Sequence, residues 1–196
     1  MRRVPGFVFR LQSKMYNLIL VVFFQRRLLE SEKMEFLYSD CYLRDLGEKE
    51  PPPVHSRSTE MIQYLAAAAP EGRLPGRQHV DPVDLRQVIT LLNLVEVERD
   101  DGAVHFRYRL IGEQQRQAAG RNITGLVVED AVVPQLVPRI TGNMKKVLAT
   151  RLPVYDRFPM PHPDRQFIDS QRMYYPLASD GETIDMILIL NGYETV

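Results

Sequence analysis

The sequence predicts an α+β domain: a five-stranded antiparallel sheet with helices on one face, preceded by N-terminal helical segments. Three observations carry this. Apolar residues repeat at helical spacing ahead of residue 91, where the period changes to the alternation of strands. Two hairpin signals, Arg99-Asp-Asp-Gly102 and Ser179-Asp-Gly-Glu182, each join a pair of alternating runs. The segments also run in the order two strands, a helical middle, three strands.

The first 27 residues carry six bases and no acid, while the rest of the chain holds 19 bases and 25 acids; the net charge of zero hides a basic tail. Inside that tail, Leu18–Phe24 is apolar but far shorter than the ~20 residues of a membrane-spanning helix. Gln25-Arg26-Arg27 follows where a secretory signal would need small residues for cleavage. Met1, Met15 and Met34 are all candidates for the true start. Residues 28–46 mix charge with scattered apolar positions and read as partly helical. Pro51-Pro-Pro53 removes amide donors and fixes φ, so it reads as a linker. We therefore divide the chain into an extension with a Pro-rich linker, residues 1–55, and a domain with a leading helix, residues 56–196.

The leading helix is Ser58–Ala69, with Ile62, Leu65, Ala66 and Ala69 on one stripe and Pro70-Glu-Gly72 as its stop. Asp81-Pro82 offers an N-cap followed by proline, and Leu85, Val88, Ile89 and Leu92 continue at helical spacing. Leu91–Glu98 and Val104–Ile111 are the first two strands. Gly112–Ala119 is a short polar helix and Gly120–Gly125 a loop. Gln135–Thr150 is the long helix, with Leu136, Ile140, Met144, Val147 and Leu148 on one face and Gly142 weakening it. Val154–Phe158, Asp169–Ala178 and Thr183–Leu190 close the sheet.

Composition is that of an ordinary soluble globular protein, 44% hydrophobic and 26% charged. The lone Cys41 can form neither an internal disulfide nor a cysteine-based zinc site, which points to a reducing, cytoplasmic setting. Balanced charge gives no global field toward nucleic acid; membrane association depends on the basic tail alone.

Several segments together resemble a PAS domain. They are Leu74-Pro-Gly-Arg77, Asp81-Pro82, Phe106-Arg-Tyr-Arg-Leu-Ile-Gly112, Gly120-Arg121 with Thr124-Gly125, and Tyr175-Pro-Leu-Ala-Ser-Asp-Gly181. The sequence is similar in particular to the stand-alone alphaproteobacterial PAS family formerly catalogued as a domain of unknown function. The resemblance covers roughly residues 57–192. Ile89-Thr90 departs from it, standing where the family's helix would end in a Leu-Pro pair. It implies a sensory or protein-interaction domain, often dimeric, with room for a small molecule in its half-barrel.

The chemistry readable from the residues narrows this. A flavin photoadduct needs a cysteine between the second and third strands, and Cys41 precedes the domain. Haem needs an axial ligand; His55, His79 and His162 lie in loops, and His105 alternates onto the polar face with Arg107 and Arg109. No cofactor and no metal site are therefore expected, His162-Pro-Asp164 being only half of one. Ser170 is not in a nucleophile elbow. Arg107 and Arg109 suit an anion, or more plainly water and acidic cross-strand neighbours.

Phe106, Tyr108, Met144, Tyr155 and Tyr174 are the candidate pocket residues, and the same set fits a filled core. In Thr183–Leu190 one face carries Ile184, Met186, Leu188 and Leu190, the other Thr183, Asp185, Ile187 and Ile189. Taking the second as the outer face, Ile187 and Ile189 need cover from the leading helix through Leu65, from a second subunit, or from both. The expectation is a cytoplasmic PAS-type sensory or signalling protein, not an enzyme. It acts as a homodimer through contact with a protein partner, with a small-molecule ligand as an option. The alternative is a small α+β enzyme with acid–base chemistry in a closed pocket, which requires a His–Asp pair there.

Overall fold

The computed structural model describes residues 35–46, 54–159 and 168–195. Its strands are β1 (Leu37–Tyr38), β2 (Leu92–Asp100), β3 (Ala103–Ile111), β4 (Val154–Pro159), β5 (Ile168–Leu177) and β6 (Met186–Thr195). The helices are α1 (Asp40–Leu46), α2 (Ser56–Ala68), α3 (Glu113–Ala119), α4 (Val128–Ala131) and α5 (Val137–Thr150). One sheet takes all six strands in the order β1-β4-β5-β6-β2-β3. The α+β class and the five antiparallel strands match the sequence reading. The sixth strand, β1, is added from the extension and pairs parallel to β4, with Leu37 opposite Val154.

Local chemistry explains most elements. The β2–β3 turn places Asp101 and Gly102 at φ 45° and 82°, the left-handed pair that an Asp-Gly hairpin favours. α3 ends at Gly120, also left-handed at φ 68°. At the start of α2 the His55 Nδ1 accepts the amide of Arg57 at 3.1 Å. Gly112 lets the chain leave β3 against the entry to β2: a Cβ there would lie 2.4 Å from the Thr90 carbonyl oxygen. Its amide donates to Asn93 Oδ1 at 3.1 Å.

The segment after Asp81-Pro82 is not an α-helix. Asp81 Oδ1 accepts the Val83 amide at 2.8 Å. Bonds of the i→i+3 kind then follow, from Arg86 to Val83, Val88 to Leu85 and Leu91 to Val88. The chain thus descends in tight turns and a 3₁₀ turn at Ile89–Leu91, burying Leu85 and Leu91.

Helices on one face alone do not describe the layers, because both faces of the sheet are covered. One face packs Val95, Phe106, Tyr174, Ile187 and Ile189 against Ile140, Met144 and Val147 of α5. The other packs Leu94, Tyr155, Met173, Tyr175, Leu188 and Leu190 against Tyr42 of α1, Met61 and Leu65 of α2, and Leu85. Strand register sets this division, since Tyr174 opposes Ile189 and Tyr175 opposes Leu188. Ile187 and Ile189, 0% and 2% exposed, are therefore core residues under α5 and not an outer interface. Leu65 does sit on the outer layer, buried against the sheet.

The residues 35–46 belong with the domain. Beyond the β1 pairing, Tyr38 and Tyr42 meet Tyr155 edge-on with ring centroids 5.9 and 5.6 Å away. Lys146 of α5 donates to the Tyr38 carbonyl at 2.8 Å and to Asp40 at 2.5 Å.

Candidate functional site

The α5 side of the sheet carries an open cleft of about 470 Å³ where α3, α4 and the turn after α4 stand over β3 and β5. Alternation along β5 supplies its floor. Ser170, Arg172 and Tyr174 fall on one face at i, i+2 and i+4, and the first two line the cleft. Ser170 is 1% exposed, and its hydroxyl has no hydrogen-bond partner among the described residues. The Arg172 guanidinium lies over the Phe158 ring, 5.0 Å from its centroid. Arg121, in the loop after α3, donates from Nη2 to the carbonyls of Asp130 at 2.7 Å and Ala131 at 3.4 Å, which ties that loop to α4. Tyr108, Ile123, Val132 and Leu136 supply apolar walls, and Gln115 completes the polar side.

Beside the cleft floor, on the strand next to β5, lies a buried polar cluster, with Asp156 opposite Arg172 in the strand register. Asp156 of β4 is fully buried. It accepts from Arg139 Nε at 2.8 Å and Nη2 at 2.6 Å, and from Asn143 at 2.7 Å. The Arg139 guanidinium also lies 4.8 Å from the Phe158 ring centroid, on the residue that Arg172 covers as well. Burial pushes the Tyr174 phenol above its usual range; the nearby Arg172 and Asn143 oppose the shift and Asp156 adds to it.

Of the five candidate pocket residues, Tyr108 lines the cleft. Phe106, Met144 and Tyr174 are packed in the core below it. Tyr155 is on the opposite face, among Tyr38 and Tyr42, because its neighbour Val154 takes the inward position opposite Tyr174. Sequence reasoning passed over Ser170, Arg172 and Arg121 as ligand contacts. The usable signal was two polar residues sharing an alternating face with the buried Tyr174.

His105 is exposed on the other face of the sheet, opposite Glu98. Arg107 there makes two bonds to Glu98, at 2.6 and 2.8 Å, and one to the Gly125 carbonyl at 2.8 Å. It is thus a cross-strand ion pair. Arg109 is exposed where the β2–β3 register shifts. Cys41 lies in α1. His162, Asp164 and the basic tail fall outside the described residues. Among the described residues no group of three His, Cys, Asp or Glu is placed to hold a metal, and no helix is long and apolar enough to cross a membrane.

A family model described as a PAS domain matches residues 54–190 of the chain. Two solved structures are similar to it. A sensory box sensor histidine kinase from Vibrio cholerae is 11% identical, with 59% of this chain and 92% of that chain covered and a TM-score of 0.41. The PAS domain of a protein from Colwellia psychrerythraea is 14% identical, with 59% and 98% covered and a TM-score of 0.37. No curated protein matches the chain.

Proposed function

The chain belongs to the PAS domain family, a family of sensory and signalling folds, and from that premise we propose that it is a sensor that admits a small molecule to the α3–α4 cleft and reports by contact with a protein partner. One observation carries the reading: a buried hydroxyl, Ser170, stands without a partner on the floor of a cleft of about 470 Å³. Leaving such a group unsatisfied costs roughly 1–3 kcal/mol, which a bound ligand would offset. Among the described residues the cleft lining contains neither histidine nor acid. The reading keeps the protein cytoplasmic, homodimeric and free of coloured cofactor, the only cysteine lying in α1 and not among the residues that line the cleft. Ile187 and Ile189 offer no surface to a second copy.

Native mass spectrometry of the full chain tests this. The expected result is a dimer retaining a small-molecule mass, taken up again after incubation with a bacterial metabolite extract and lost in Ala118→Trp, which fills the cleft. Absorbance shows no Soret or flavin band. A bare monomer that takes up nothing from the extract overturns the proposal.

A further inference from the structure

The α2 face of the sheet holds a smaller pocket of about 150 Å³, where β6 runs past the first residue pair of β2, Leu92 opposite Leu190. Gln171 of β5 alternates with Met173 and Tyr175 and so faces α2. Its neighbour across the strand pair is Gly192, which has no side chain to cover it. The first turn of α2 closes the space with Ser58, and Leu91 and Leu190 give it apolar walls. Three buried polar residues line this one pocket: Ser58, Gln171 and Asn191, 7%, 5% and 1% exposed. Asn191 donates to the Leu91 carbonyl at 2.9 Å, which fixes the plane of its amide. The Ser58 carbonyl accepts from Tyr175 at 2.9 Å. The Ser58 hydroxyl and the Gln171 amide, however, have no hydrogen-bond partner among the described residues, although buried groups of this kind are normally paired.

We infer that this pocket binds a neutral, single-ring cyclic amide or ureide, held edge to edge by the Gln171 carboxamide with its ring faces against Leu91 and Leu190. A carboxamide presents a donor beside an acceptor in one plane, and the amide edge of a small ring presents the complementary pair, so two hydrogen bonds close at once. The Ser58 hydroxyl is left for a second polar group on the ring. A cavity of this volume accommodates one ring of benzene size. The buried polar groups are all neutral, while His55 and Arg57 are exposed at the rim. An ionic ligand would therefore give up water for neutral partners, which is costly. The site lies on the opposite face of the sheet from the α3–α4 cleft and does not depend on it, because Gln171 alternates with Ser170 and Arg172.

Ligand-observed NMR titration of the full chain with uracil, δ-valerolactam, 1,3-dimethyluracil and benzoate tests this. Uracil and δ-valerolactam are expected to bind. The dimethyl compound keeps the carbonyls but has no N–H, so it should bind at least about tenfold more weakly, and benzoate more weakly than either cyclic amide. Gln171→Leu keeps a buried side chain in place and should remove about tenfold from uracil. Gly192→Val is the second variant. Its Cβ meets nothing nearer than the Gln171 Cβ at 3.7 Å, so the strand is kept while the space over Gln171 fills and binding is lost. Ala118→Trp, in the cleft on the other face, should leave uracil affinity unchanged. Equal binding of uracil and its dimethyl form would overturn the amide pairing, and benzoate binding most tightly would overturn the neutral ligand. Binding of neither cyclic amide, the pocket then holding water alone, would overturn the site. Uracil binding that survives Gly192→Val or is lost in Ala118→Trp would overturn it too.

Discussion

Arg139 of α5 holds Asp156 of β4 through two hydrogen bonds, 2.8 and 2.6 Å long, while its remaining terminal nitrogen reaches Asp45 of α1 at 2.6 Å. One guanidinium thus joins the helix that packs the sheet, the strand beside the cleft floor, and the N-terminal segment. Burial alone would lower its pKa, but bonds and charges from Asp156 and then Asp45 outweigh that and hold it above the usual arginine value. The two acids are not equivalent. Asp156 is fully buried and the Asp45 side chain is 48% exposed.

Asp156→Ala should therefore cost about 3–5 kcal/mol, because it leaves a largely buried guanidinium without its main partner. Asp45→Ala removes an exposed partner and should cost less than about 1 kcal/mol. Urea unfolding of the two variants checks the ordering, and equal losses would contradict it.

Two glycine-to-alanine changes should have opposite signs. At Gly112 the new Cβ meets backbone, 2.4 Å from the Thr90 oxygen and 2.7 Å from the Leu92 oxygen, so the loss should exceed about 2 kcal/mol. At Gly142, inside α5, nothing lies within 4 Å. There the change should add about 0.5–1 kcal/mol through helix propensity. Thermal melts of the two proteins read both effects.

Ile189→Asp places a carboxylate under α5, so it should abolish or severely weaken folding and not merely dissociate subunits. Leu65→Ala, on the other face, should cost about 2–5 kcal/mol through the cavity it leaves under α2. Sedimentation together with a melt separates these cases. An Ile189 variant that melts like wild type but sediments as a smaller species would restore Ile189 to an interface.

A chain beginning at Val54 should melt several degrees below one beginning at Glu35. It loses the β1–β4 pairing, the Lys146–Asp40 and Arg139–Asp45 contacts, and the rings that cover Tyr155. For a domain of this size each lost kcal/mol corresponds to roughly 2–4 °C. Coincident melts would mean that the segment lies on the domain without stabilising it.

Stability should fall steeply on the alkaline side. Tyr175 donates to the Ser58 carbonyl at 2.9 Å, and burial raises its phenol well above the ordinary range, with Tyr174 shifted the same way. Above about pH 10 the unfolded phenols lose protons that the folded ones keep. The contribution is then complete below that pH and declines as pH rises. Tyrosinate absorbance should show both rings titrating together with loss of ellipticity; ionisation of all nine tyrosines in a still-folded protein would refute this.

Most of the sheet could be read from the chain because its signals are local. Asp101-Gly102 names its own turn, alternation from residue 104 puts Phe106 and Tyr108 inward and His105 outward, and the α5 stripe marks Ile140, Met144 and Val147. The 81–92 segment failed as a helix because Asp81 caps its own turn and i→i+3 bonds took over, a local competition that apolar spacing does not register.

The facing of β6 could not be read from the chain. Ile187, Leu188, Ile189 and Leu190 are all buried, so no polar neighbour marks a wet face, and period-two alternation leaves inside and outside interchangeable. Pairing with β5 decided it, and the same pairing put Tyr155 away from the cleft. A two-residue strand such as β1 has no period to read; its place comes from hydrogen bonds to the Pro153 and Tyr155 carbonyls. The cleft likewise draws Arg121, Val132 and Ser170 from separate segments. By itself the sequence determined which residues could be strand, turn and core; the tertiary structure decided which buried face meets α5 and which polar groups share the cleft, because both depend on pairings between residues far apart along the chain.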